Sequence, residues 1–89
     1  MLFRSFDQTV PGPDGAARRV WADYRRQGEV YALLHVEADP ALRGSGAAGR
    51  FMAALADHAR AEGLSLAPRC PYAVAWFKRN PDQGDVLAQ

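Results

Sequence analysis

Cysteine occurs once in this 89-residue chain, at Cys70, so no internal disulfide can staple it. A single thiol fits a reducing compartment, and a cytoplasmic location is the expectation. Lysine is scarce too: ten of the 11 basic residues are arginine, set against 10 acidic ones for a net charge of +1. That balance lacks the one-signed field that recruits nucleic acid or an anionic membrane, so neither is expected as a partner. No apolar run approaches the roughly 20 residues that a spanning helix needs. The start, "MLFRSFDQTV", carries charge from Arg4 onward, unlike a secretory leader. No internal repeat and no linker interrupt the chain, and no metal site is expected.

What is present is an ordinary globular balance, 48% hydrophobic and 24% charged. Residues 1–89 read as a single domain. A core this small is marginal, so a bound ligand or a homodimer would add stability.

Residues 2–10 suit a short edge strand, and "PGPDG" (Pro11 to Gly15) is a turn, since two prolines and two glycines defeat regular structure. "ARRVWADYRR" alternates Val20, Ala22 and Tyr24 against Arg19, Trp21, Asp23 and Arg25, the period of a strand with one buried face. Gln27-Gly28-Glu29 makes a hairpin turn. The returning strand, "VYALLHVEA", is almost continuously apolar and reads as central, covered on both faces. Pro40 ends it.

The helix that follows is marked by Ala48, Phe51, Met52, Leu55, Ala56 and Ala59, one apolar stripe, with Arg50, Asp57 and Arg60 off it. Ser45 is placed to cap its start and Gly63 to end it. "LSLA" (Leu64 to Ala67) is a short strand, parallel to the earlier one if the helix crosses over. A second helix spans Pro71 to Asn80, and Pro81 closes it. The class is α/β, with one mixed, mostly antiparallel sheet flanked by two helices.

"ALRGSGAAG" lies between the apolar strand and the long helix, at the strand's carboxyl end, where open α/β sheets bind ligands. The first N–H groups of a helix lack internal partners and carry the positive end of its dipole, which favours phosphate. Gly44 and Gly46, with the small Ala47 and Ala48, let phosphate oxygens reach the backbone, and Arg43 adds a charged donor. An ordinary tight strand-to-helix turn reads the same residues without any ligand. No Lys-Ser or Lys-Thr follows the glycines, so this is not a nucleotide-triphosphate loop.

The run "HVEADPALRGSGAAGRFMAALADHARAEGLSLAPRCPYAVAWFKRNP" resembles the short GNAT-type acetyltransferases, the very small acetyl-CoA-binding members of that superfamily. The resemblance rests on five motifs in order: a strand end, here L-H-V-E, similar to the group's T/V-H-x-E, then P-x-L-R-G-x-G, the helix, P-x-C-P-Y and a helix ending in R-N-P. It covers about His35 to Pro81. It implies a minimal GNAT-like fold in which the pyrophosphate loop falls on Arg43, Gly46 and Ala48, with Gly44, Ser45 and Ala47 between them. The anion is then coenzyme A, with acetyl-CoA the substrate. The pantetheine arm lies where the central strand and the strand after the helix splay apart, its thioester near Glu37 and Cys70. Two departures matter: there is no room for the N-terminal helices that shape the acceptor pocket of larger members, and "PGPDG" stands where a more regular hairpin is expected.

Acetyl transfer needs a neutral amine, donors for an oxyanion and a proton for the departing thiolate. Glu37, desolvated at the end of an apolar strand, would have a raised pKa and accept the amine's proton; its plain reading is a solvated strand-end carboxylate. His35 shares its face and is either a partner in that role or a hydrogen-bonded core residue. Cys70, between Arg69 and a helix start, is a candidate nucleophile for an acetyl-cysteine intermediate, a proton donor, or simply a small buried residue. Tyr72 is the alternative acid. The Tyr72–Trp76 stripe reads as helix packing, while Lys78, Arg79 and Asn80 complement the helix dipole or touch the nucleotide end of the coenzyme. The expected function is acetyl-CoA-dependent acetylation of an amine: a protein lysine, an N-terminus or a small amine. The competing reading is a coenzyme A-binding or protein-interaction module without turnover.

Overall fold

The computed structural model describes residues 3–88, and the side chains of residues 6–88. Its element order follows the alternation of periods in the chain: β1 (Phe3–Pro11), β2 (Ala17–Gln27), β3 (Val30–Ala38), α1 (Ala47–Glu62), β4 (Ser65–Pro68) and α2 (Pro71–Arg79). Two further segments are wound as 3-10 turns, Pro40–Leu42 after β3 and Pro81–Val86 after α2. The four strands lie in the order β1-β2-β3-β4, antiparallel except for the β3–β4 pair. The fold is the expected minimal GNAT-like arrangement.

The "PGPDG" segment closes a regular hairpin after all. The Gly12 amide donates to the Ala16 carbonyl at 2.8 Å, and pairing continues from Pro11↔Ala17 to Phe3↔Arg25. Val20, Ala22 and Tyr24 are buried as their alternation requires. They form one cluster with Leu33, Val36, Phe51, Met52, Leu55, Leu66, Trp76 and Phe77, so both helices join a common core with the sheet. On the β1 side it is extended by a stack of Phe6, Tyr24 and Tyr31, whose Tyr–Tyr planes are 4° apart.

The apolar stripe of α1 begins at Ala47; Ala48, assigned to it from the sequence, is only half-buried. The cap also shifts. Gly46 occupies the N-cap position at φ +80, and Ser45, one residue earlier, accepts the Ala47 amide on Oγ at 3.2 Å. Gly63 ends the helix in the left-handed region, φ +68, as expected.

β3 is central, but it is covered on both faces only in its first half. Tyr31, Ala32 and Leu33 are buried, whereas His35 and Glu37 are exposed. The reason is a β-bulge. Tyr24 pairs with Leu33 and Asp23 with His35, leaving Leu34 as an extra residue. Beyond it the pairs Ala22↔Val36 and Val20↔Ala38 keep Val36 and Ala38 on the helix side, and His35 and Glu37 fall on the other.

Candidate active site

The bulge coincides with a second change. β3 and β4 pair from Val30↔Ser65 to Leu33↔Pro68 and no further. The chain then turns away: the amides of Arg69 and Cys70 both donate to the Leu33 carbonyl, at 2.9 and 3.2 Å, and Pro71 opens α2. β3 runs on to Ala38 paired only with β2, so the two parallel strands part company at Leu33.

Along the unpaired half of β3 lies a cavity of about 490 Å³. It is lined by Val36 to Pro40, with Glu37 among them, by Leu42, Arg43, Gly44 and Gly46 to Gly49 of the turn and the start of α1, and by Tyr72 of α2. Five of the residues expected to hold the coenzyme, Arg43, Gly44, Gly46, Ala47 and Ala48, therefore line one cavity with two of the expected catalytic residues, Glu37 and Tyr72. Ser45, His35, Cys70 and Asn80 do not line it. Asp39 and Gly49 do, and neither was singled out from the sequence.

The turn before α1 is built to present N–H groups. Gly44 and Gly46 have φ of +79 and +80, a conformation that a side chain would strain. Ser45, between them, holds the turn by donating from Oγ to the Leu42 carbonyl at 2.6 Å. Among the described residues, the amides of Gly44, Gly46, Ala48 and Gly49 have no partner within the protein. Arg43 is exposed and forms no ion pair with a described residue. The residues that carry these four unused donors, the start of α1 and the Arg43 guanidinium all line the cavity, a combination that fits a phosphate group.

His35 and Glu37 are brought together: Nε2 lies 2.9 Å from the carboxylate, and each side chain is 53% exposed. That exposure removes the desolvation expected for Glu37. Its carboxylate is a solvated, imidazole-bonded group. Tyr72 is half-buried, and burial pushes its phenol above the ordinary value of 10; the Arg79 charge offsets part of the rise and Cys70 adds to it. Tyr72 therefore keeps its proton at neutral pH. Cys70 is the N-cap residue of α2, only 6% exposed, and its side chain makes no capping hydrogen bond. Asn80 is committed elsewhere: its amide donates to the Trp76 carbonyl at 2.8 Å and closes α2. Trp76 is buried in the core cluster shared with the sheet, in line with packing as the role of that aromatic.

The family model for GCN5-related N-acetyl-transferases matches residues 10–86. The chain belongs to that family. The match takes in β2 to α2 entire and supports a general acyltransferase role. No curated protein matches the chain. The family's use of acetyl-CoA agrees with the phosphate-fitting turn, and no group of three or more potential metal ligands occurs among the described residues. No helix of the described residues is long and apolar enough to cross a membrane.

Proposed function

We propose that this GNAT protein binds acetyl-CoA in the β3–β4 split and transfers the acetyl group directly to an amine, in the cytoplasm, the compartment its lone thiol suits. One observation carries the reading: the glycine turn, Glu37 and Tyr72 line a single cavity. Arg43 and the free amides of Gly44, Gly46, Ala48 and Gly49 hold the pyrophosphate. The acyl end then lies toward Glu37 and Tyr72.

The amine must be neutral to attack the thioester carbonyl. The His35–Glu37 pair accepts its proton, directly or through water, as the C–N bond forms. The tetrahedral adduct collapses by breaking the C–S bond. Tyr72, protonated at neutral pH, donates to the departing thiolate and is reprotonated from solvent. The products are an amide and free coenzyme A. Glu37 is the stronger candidate for contact with the acceptor because it lines the cavity, and His35 then acts through it. The exposed flank of His35 and Glu37 suits an amine on a large carrier, such as a protein lysine or N-terminus, as well as a small amine.

The reading is tested by following thiol release from acetyl-CoA with a lysine peptide, a peptide with a free N-terminus and a polyamine, alongside the intact mass of the protein. Thiol release with at least one amine and no stable adduct is expected. A single acetyl group on Cys70 that amines remove would replace direct transfer by a covalent route. Coenzyme A binding without turnover on any amine would favour a non-catalytic module.

A further inference from the structure

Arg50 stands off the apolar stripe of α1 and is exposed, yet its guanidinium is held against the protein. It bends back over the turn, where Nη1 donates to the Ser45 carbonyl at 3.0 Å. The same nitrogen lies 3.2 Å from where a Cβ on Gly46 would stand, so the bare backbone of that glycine is what admits it. Gly46 lines the cavity. Arg18, Arg19 and Arg60 each meet a carboxylate, whereas Arg50 meets none among the described residues. A guanidinium has five N–H donors, and the Ser45 carbonyl occupies one of them. An uncompensated charge thus rests over the turn that carries Arg43 and the unused amides. Arg50 does not itself line the cavity but lies against Gly46, which does, so an anion held by the turn would be within its neighbourhood.

We propose that Arg50 is a second cationic contact for the phosphates of coenzyme A, acting beside Arg43 and held over the turn by the Ser45 carbonyl. The proposal rests on the coenzyme A reading above and adds a residue to it. Recognition by two guanidinium groups would tie affinity to the charge of the phosphates as well as to the backbone cradle.

The test is calorimetric titration of coenzyme A and dephospho-coenzyme A into wild type and the variants Arg50→Ala, Arg50→Gln and Arg50→Lys, at two salt concentrations, with thermal unfolding beside it. Arg50→Ala and Arg50→Gln are expected to weaken binding roughly 10- to 100-fold with unchanged unfolding, and Arg50→Lys less. Both neutral variants should also flatten the salt dependence. A penalty shared by both ligands places the contact at the pyrophosphate, and one confined to coenzyme A places it at the 3′-phosphate; either supports the proposal. Wild-type affinity in Arg50→Ala overturns it. So does wild-type affinity in Arg50→Gln, which keeps a donor for Ser45 and would reduce Arg50 to a brace. If wild type itself binds no coenzyme A, the parent reading falls, and this one with it.

Discussion

The two halves of β3 differ in both pairing and burial. From Val30 to Leu33 the strand is paired on both edges, and Leu33 is fully buried. From Leu34 to Ala38 it keeps only β2, and its outward residues, His35 and Glu37, are exposed. One strand is thus a core element for four residues and a site-bearing edge for the rest. The bulge at Leu34 and the departure of β4 after Pro68 make the change at one point in space. The lesson is that the cavity is bordered by the half of β3 that β4 leaves unpaired, not by the half held on both edges.

The largest effect should come from the first half. Leu33→Ala removes a side chain with no exposed surface and is expected to cost about 2–5 kcal/mol in denaturant unfolding, a large share of the stability of so small a domain. In the second half the pattern should reverse. Glu37→Gln is expected to leave stability within about 0.5 kcal/mol while lowering acetyl transfer roughly 100-fold or more, read from steady-state kinetics beside thermal melts. A Glu37→Gln variant that unfolds as readily as Leu33→Ala would erase the distinction between the halves.

Tyr72→Phe should lower kcat by a smaller factor, on the order of 10-fold, because water can supply the thiolate's proton. Since burial raises the Tyr72 phenol, the wild-type rate should hold through neutral pH and fall only as pH passes above the ordinary tyrosine value of 10; the Phe variant should lack that fall.

The smallest effect concerns a clamp far from the split. Arg60 reaches Asp57, Gln83 and Asp85 and ties α1 to the closing 3-10 turn. Its guanidinium holds the Asp85 carboxyl below the ordinary 3.8. A depressed carboxyl contributes stability above its unfolded value and loses it as pH falls through the folded one. Melting temperatures of wild type and Arg60→Ala should therefore differ slightly at neutral pH, begin to converge as pH falls below 3.8 and meet once it passes the lower folded value of Asp85.

Much of this was legible in the residues. The strand periods, the apolar stripe of α1, Gly63 as its end and the glycine turn all follow from local patterns that tertiary packing did not override. The slip in β3 was also written there: Tyr31 and Leu33 keep one phase, while Val36 and Ala38 keep the other. A reading of "VYALLHVEA" as one buried run hides it. The exposure of Glu37 follows its plain reading as a solvated strand-end carboxylate, and the desolvated alternative fails because the face it shares with His35 is uncovered beyond Leu34. Asp39 and Gly49 line the cavity through backbone paths that no motif announces, and the back-bent Arg50 depends on a rotamer that spacing does not encode.

The most direct test of the split strand is a two-dimensional amide NMR titration with acetyl-CoA. Shifts should gather in Leu34–Ala38, Arg43–Gly49 and around Tyr72, with Val30–Leu33 and the carboxyl-terminal half of α1 nearly still. Shifts centred on the paired half of β3, or none at saturating ligand, would contradict the account.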